Sequence, residues 1–378
     1  MKMQKPSILD NLDEIKGIDK SGMLFLCVDA PKHYEKAFRI AKKVVIDYPK
    51  PESIIVAGMG GSAIGGEILK DWARDTLTIP VEVCREYMLP AHAGKGTLTF
   101  VVSYSGETEE TLSVFLDAIK RNCMVVCISS DGTLLDFAEK MKIPSVHIPT
   151  GIPPRAALPY LFTPMLTILG KLGLVKRIKT EISETVTVLK HVCSENVPEK
   201  PLKENFSKRL AADICGTVPA VYGFGFYSSV AQRFKQQFNE NSKAPSKWEV
   251  FPELNHNEIV GWEKAEKLAS HFSAIIIRDK NEPEHIKQRI EATKELLSGT
   301  VAGIHEVWSR GEGKLAKMLS TTIIGDFTSV YLAILRGVDP TPVKTISVLK
   351  DRIAKTGLKE RIVSELQSLL RKAKGARN

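Results

Sequence analysis

The chain has 378 residues, enough for two ordinary domains, and its 43% apolar and 26% charged residues are the balance of a globular protein. That excludes an intrinsically disordered chain, and 26 glycines with only six cysteines exclude collagen-like and disulfide-scaffold classes. The net charge of +9 is modest and unevenly spread, so it excludes little by itself.

The first segment, to about Pro49, reads as helical, with AFRIAKKVVIDY at helical spacing. Its opening residues, MKMQKPSILDNLDEI, lack an apolar signal core, and no apolar run of about 18 residues follows. A cytoplasmic protein with no membrane partner is expected. The period then changes. Short apolar, β-branched runs at 53–58, 79–84, 97–105, 122–130 and 144–150 read as strands. Helical stretches (IGGEILKDWARD, ETEETLSVFLDAIKR, LLDFAEKMK) lie between several of them. This alternation predicts an α/β fold with a mainly parallel sheet flanked by helices.

Residues 155–217 are mostly helical, and strand-like runs return at 218–224, 246–250, 273–279 and 303–309. Both halves begin with a strand running into a glycine-containing turn, SIIVAGMGGSAIGG and AVYGFGFYSSVAQ. Two related α/β subdomains are therefore expected, at 51–154 and 218–340. A helical extension at 1–50 precedes them and a helical connection at 155–217 joins them. Helices close the chain, FTSVYLAILRG and VKTISVLKDRI among them, with 341–378 forming the last segment. Residues 350–378 carry nine Lys/Arg against three acidic residues. Such a run is more often the solvated face of an amphipathic helix than a nucleic-acid contact, so no nucleic-acid partner is expected.

The cysteines carry no metal signature. Cys84, Cys123 and Cys127 sit in strand-like contexts, Cys123 and Cys127 lack a nearby histidine, and HExxH is absent, so buried thiols and no metal are expected.

Two loops carry the chemistry. Gly58-Met59-Gly60-Gly61-Ser62-Ala63-Ile64-Gly65-Gly66 follows a strand and opens a helix. Glycines let a ligand approach the backbone, and a helix start offers free N–H groups and partial positive charge, which suits an anion such as phosphate. Gly58, Gly60 and Ala63 also fit the loose dinucleotide pattern, and ordinary turn glycines would look alike. The second loop, Ser103-Tyr104-Ser105-Gly106-Glu107-Thr108, again joins a strand to a helix. One hydroxyl suffices for an N-cap; three within six residues suggest a ligand. In a parallel sheet both loops lie at the carboxyl edge, where ligands bind. A dinucleotide enzyme does not need the second loop, whereas a monophosphate site uses both.

GMGGSAIGG followed by SYSGETEET resembles the sugar isomerase (SIS) domain. With PPRAALPYLF, FNENSKAP and ELNHNEIVGWE, the chain resembles the bifunctional phosphoglucose/phosphomannose isomerase family, of the phosphoglucose isomerase superfamily, over roughly residues 50–355. The loop motifs are shared by many SIS proteins; the combination is far more selective.

The resemblance implies two SIS-type subdomains and a cofactor-free aldose–ketose isomerase acting on hexose 6-phosphates through a cis-enediol. It implies a phosphate cup of Gly61, Ser62, Ser103, Ser105 and Thr108. Arg155 would stabilise the enediolate and Glu240 would act as the base. His256 would open the sugar ring, donated by the neighbouring subunit of a homodimer. A lysine near the ring oxygens would be Lys350, with Lys344 open as the alternative. Thr341 would stand near C1–C2, where its small size leaves room for either C2 epimer. Two other readings stay open. One is a non-catalytic SIS regulator that senses sugar phosphates, although residues 1–50 show no clear helix-turn-helix. The other is a different SIS-type phosphosugar enzyme.

Overall fold

The structure, a computed structural model, describes residues 5–375. Residues 1–4 and 376–378, the outer ends of the first and last expected segments, lie outside the described residues. The chain forms two compact units, each assembled from two pieces. One comprises His33–Ile178 and Val343–Asn378, the other Met1–Lys32 and Lys179–Pro342.

The unit containing residues 33–178 holds five parallel strands: β1 (Ser53–Ala57), β2 (Val81–Cys84), β3 (Thr97–Val102), β4 (Met124–Ser129) and β5 (Ser145–His147). Their order is β2-β1-β3-β4-β5. Every residue of β1, β3 and β4 is buried, which is why these strands read as unbroken apolar runs and not as alternating ones. β3 stops at Val102, three residues before its apolar run ends, because Ser103–Ser105 turn away into the loop. Helices Gly61–Ala73, Glu109–Lys120, Thr133–Met141 and Leu158–Lys171 cover the sheet.

The helix over AFRIAKKVVIDY is shorter than its spacing predicts: it runs Ala30–Lys43 and stops before Val44-Val45-Ile46. β-Branched side chains disfavour helix, and the Lys171 ammonium takes the freed carbonyls of Lys42 (2.7 Å) and Val44. Tyr48 then donates to the Val125 carbonyl of β4 at 2.9 Å, fixing the extended stretch that leads into β1.

The basic C-terminal segment belongs to the same unit. Helix Leu358–Gly375 lies against helix Glu109–Lys120 and places Ile362 and Leu366 in the core with Leu112, Phe115 and Leu116. A Lys120–Glu365 ion pair of 2.5 Å lies beside them. Arg371 and Lys372 of this helix face solvent, the wet side of an amphipathic helix. The preceding helix, Lys344–Ala354, has no buried residue.

The other unit holds β6 (Val218–Phe224), β7 (Lys247–Phe251), β8 (Phe272–Arg278) and β9 (Gly303–Trp308), all parallel and ordered β7-β6-β8-β9. This repeats the first sheet: the first strand is central, the second lies on one side, and the third and fourth lie on the other. The spine of the unit is helix Lys314–Leu335, which extends well before FTSVYLAILRG and is buried along nearly all its length. By length and composition it is apolar enough to cross a membrane, yet here it is a core helix. Helices Phe206–Asp213, Ser228–Glu240 and Met23–Val28 and the turn Pro6–Asp10 surround it. The fully buried Lys208 anchors that N-terminal piece. Its ammonium reaches Asp10 at 3.3 Å and the carbonyls of Pro198 and Lys200 at 2.8 and 2.6 Å.

Leu366, fully buried, tests whether the C-terminal helix is structural. Leu366→Ala is expected to destabilise the protein by about 2–5 kcal/mol, the cost of a large core side chain. Urea titration would read this as a lower midpoint; an unchanged midpoint would mean the helix is an appendage.

Candidate active site

β1 and β3 are neighbours in parallel register, from Ser53↔Thr97 to Ala57↔Val101, so the loops that follow them emerge side by side. This is also the point where the chain, having placed β2 on one side of β1, crosses to the other. Crevices at such switch points are the ligand sites of open α/β sheets.

The first loop leads into helix Gly61–Ala73, whose start has no side-chain cap. A Cβ on Gly61 would sit 2.9 Å from the Pro154 carbonyl oxygen and 3.2 Å from the Arg155 Cα, so only glycine allows this approach. The two prolines and arginine of PPRAA are thereby brought against the helix start. Arg155 lies in the 3-10 turn Pro154–Ala156 and is 3% exposed, not a surface arginine.

The second loop supplies the hydroxyls. Ser103 is buried and its Oγ lies 3.0 Å from the Thr108 Oγ1. Thr108 occupies the N-cap of helix Glu109–Lys120, yet its side chain makes no cap bond. Ordinary capping therefore does not account for it. Ser105 is exposed at the rim, where its Oγ accepts from the Glu107 N–H at 3.3 Å. Ser62 is buried in the first turn of the neighbouring helix. Gly106, at φ +69°, lets the loop fold onto the next one; a Cβ there would meet the Asp131 carbonyl oxygen at 1.9 Å.

Two side chains of this loop face other tasks. Tyr104 donates its hydroxyl to the Pro149 carbonyl at 3.1 Å and accepts from the Ile152 N–H at 2.8 Å. Glu107 accepts from the Thr133 N–H at 2.7 Å and from its hydroxyl at 3.0 Å, and pairs with Lys359. Burial alone would raise the Glu107 carboxyl; the Lys359 ammonium and Thr133 outweigh it and hold the group below its ordinary value. Lys359 comes from the C-terminal helix. Lys350 and Lys344 lie on the exposed helix Lys344–Ala354.

Glu240, His256 and Thr341 belong to the other unit. Glu240 ends helix Ser228–Glu240 and is half-buried. A polar ladder fastens that helix to Lys314–Leu335. Buried Arg233 makes a two-point contact with Asp326 (2.8 and 3.0 Å), and Gln237 donates to Asp326 at 2.9 Å. One turn on, Asn241 donates to the Ser329 hydroxyl at 2.9 Å and Ser242 to the Ser329 carbonyl at 2.6 Å. Lys243 closes the end. Its ammonium donates to the carbonyls of Glu240 (2.8 Å), Asn241 (3.3 Å) and Pro340 (2.7 Å). One side chain thus ties Glu240 to the residue before Thr341. Motif matching singled out only the glutamate of FNENSKAP, whereas its Asn, Ser and Lys hold that glutamate in place.

His256 follows β7 and is exposed. The acids that flank it are engaged elsewhere. Glu253 accepts from Asn257 at 2.6 Å, and Glu258 accepts from the Tyr222 hydroxyl at 2.5 Å and pairs with Lys247 at 2.9 Å.

The carboxyl edge of the second sheet is built differently from that of the first. Asp279, just past β8, is 3% exposed and accepts from the Tyr227 hydroxyl (2.6 Å), Lys317 (2.9 Å) and the Asn281 N–H (2.8 Å). Burial opposes its charge, but these donors prevail and hold the carboxyl below its ordinary range. A carboxylate held by Tyr227, Lys317 and Asn281 thus stands where the first sheet presents hydroxyls. Among the described residues no group of three or more His, Cys, Asp or Glu is placed to hold a metal ion. Burial pushes the thiols of Cys127 and Cys193 up, the latter to about 12, so both are inert.

Comparison with known proteins adds a family to this geometry. The bifunctional phosphoglucose/phosphomannose isomerase of Caldicellulosiruptor bescii is 40% identical over 327 residues, 86% of this chain and 96% of the relative. The chain belongs to the bifunctional phosphoglucose/phosphomannose isomerase family. The isomerase of the same name from Aquifex aeolicus is 35% identical over 307 residues, 80% of this chain and 91% of the relative. The family model for the bacterial phospho-glucose isomerase C-terminal SIS domain matches residues 203–353, the stretch that carries Glu240, His256, Thr341, Lys344 and Lys350. Among solved structures, a glucose-6-phosphate isomerase like protein from Thermus thermophilus has a TM-score of 0.60. It is 19% identical, with 91% of this chain and 99% of that chain covered, a likeness of fold.

The lowered Glu107 group predicts a pH dependence. A carboxyl depressed in the folded state stabilises above its unfolded pKa of about 4.3 and loses that contribution as pH falls through its folded pKa. Glu107→Gln is therefore expected to be less stable than the unaltered protein at neutral pH, with the difference closing below about pH 4. Urea midpoints of the two proteins across that range check this; a constant difference would remove the ionic account.

Proposed function

We propose that this protein interconverts glucose 6-phosphate and mannose 6-phosphate with fructose 6-phosphate, without a cofactor. The observation that supports the reading is the pair of adjacent strand–helix loops, neither helix start closed by a side-chain cap, with the Ser103 and Thr108 hydroxyls 3.0 Å apart and the backbone of buried Arg155 against Gly61. Family membership supplies the substrate class: the relatives are named for glucose and mannose phosphates.

In this reading Gly61, Ser62, Ser103, Ser105 and Thr108 hold the 6-phosphate. His256 moves the proton between O1 and O5 that opens the ring, a task suited to an imidazole, which can both accept and donate a proton. Glu240 removes the proton from C2 and returns it to C1 on the same face, through a cis-enediol. Arg155 stabilises the enediolate with a charge that cannot be lost. Lys350, or Lys344, stands near the ring oxygens, and Thr341 near C1–C2 leaves space for either epimer. The enzyme is a cytoplasmic homodimer in which His256 serves the neighbouring subunit's site. The exposure of His256, with Val260 (55%) and Leu268 (63%) exposed nearby in the chain, supports a partner surface there.

A coupled assay started separately from glucose 6-phosphate and mannose 6-phosphate tests the reading. Fructose 6-phosphate is expected from both. Turnover of one alone would withdraw dual specificity and direct attention to Thr341. Binding without turnover of either would return the regulator reading. Glu240→Gln is expected to lower kcat by about 10²–10⁴-fold while fructose 6-phosphate still binds. Equal loss of binding and rate would make Glu240 structural.

A further inference from the structure

Tyr104 sits between Ser103 and Ser105 in the loop that supplies the cup hydroxyls, and its own hydroxyl takes no part in the cup. Instead it spans to residues 149–152, the strap that runs from β5 to Arg155, donating to the Pro149 carbonyl and accepting from the Ile152 N–H. Both hydrogen-bonding directions of the phenol are used on the strap, one on each side of its tip. That tip contains Gly151 at φ +81°, with no neighbour within 4 Å of a Cβ built there.

The two ends of this linkage are fixed. At one end, the Tyr104 carbonyl accepts from the Ser130 N–H (3.0 Å) and hydroxyl (2.6 Å) and from the Ser129 hydroxyl (3.3 Å). The backbone that carries the phenol is therefore tied to the loop after β4. At the other end, Ile152 is followed by Pro153 and Pro154, whose rings lock two consecutive φ angles. A displacement at Ile152 is passed on to Arg155 with little taken up between. The Pro154 carbonyl stands against Gly61 with no room for a methyl group, so a strap that moves must also leave the helix start.

We infer that Tyr104 is a positioning residue for the isomerisation, acting through the strap to set Arg155 beside the phosphate cup. The inference rests on the role given to Arg155 above. Loss of the phenol oxygen leaves the cup hydroxyls in place and frees the strap. Its signature is a fall in kcat with phosphate anchoring retained.

The test is a four-protein cycle: unaltered enzyme, Tyr104→Phe, Arg155→Ala and the double variant. Each is assayed for kcat and for the Kd of glucitol 6-phosphate, which carries the phosphate but has no carbonyl to isomerise. Tyr104→Phe is expected to lower kcat about tenfold to a hundredfold, the scale of a misplacement near 1 Å. The glucitol 6-phosphate Kd should stay nearly constant. Added to Arg155→Ala, it should have little further effect, because coupled residues fail to add. If the full fall in kcat recurs in the Arg155→Ala background, or Kd weakens in step with kcat, Tyr104 does not act through Arg155 and the inference is overturned. If Arg155→Ala alone leaves kcat unchanged, the role of Arg155 itself falls, a distinct result that overturns the inference with it. Should Tyr104→Phe fail to fold, Ile152→Pro enters the same cycle, since it removes the N–H that donates to the phenol.

Discussion

The parallel pairing of β1 with β3 is the constraint on which the proposed phosphate edge depends. It makes two strands that are distant in sequence end at the same level, so two helix starts open beside each other. Each start brings N–H groups with no partner inside the helix. Neither is closed by a side-chain cap, and the hydroxyl best placed to close one, on Thr108, turns to Ser103 instead. At the first start the N–H groups of Ser62 and Ala63 turn back to the carbonyls of Met59 (2.9 Å) and Gly60 (3.1 Å). The tight approach of Gly61 to Pro154–Arg155 then brings the backbone of the buried Arg155 to the same edge. Strand order, the lack of side-chain capping and one close backbone contact together make the edge on which the proposed phosphate site rests.

The second unit solves a different problem, that of holding a carboxylate at the end of a helix. Arg233, Gln237, Asn241 and Ser242 lie on one face of a helical path and meet Asp326 and Ser329 on the core helix. Buried ion pairs such as Arg233–Asp326 recover the cost of desolvation only with good geometry, and their better-attested use is to fix register. Here the register fixed is that of Glu240. The sheet edge that presents hydroxyls in one unit carries Asp279 in the other, so an internally repeated topology has two electrostatically different edges.

Strands were legible in the sequence because β-branched runs bounded by glycine have few other uses. The two loops of the proposed phosphate site stood out because small residues and hydroxyls clustered at strand ends. The extent of the first helix was not: helical spacing continues through Val44-Val45-Ile46, and what stops the helix includes Lys171, far along the chain. The start of the core helix at Lys314 was hidden too, since Ser320, Thr321 and Thr322 break its apolar run while bonding back to their own helix. Tyr104 and Lys243 stood inside quoted motifs without a role. Their partners are Pro149, Ile152 and Pro340, reached only when the chain folds.

The C-terminal helix has a consequence for the order in which the protein can mature. A ribosome that has delivered residues 1–342 has made every strand of both sheets and all of the piece Lys179–Pro342. The unit that holds β1–β5 still lacks Ile362 and Leu366 in its core and Lys359 beside Glu107. The half of the molecule begun earlier as a sheet is therefore the half completed last, and the nascent chain must carry an unsealed apolar face until its final helix emerges.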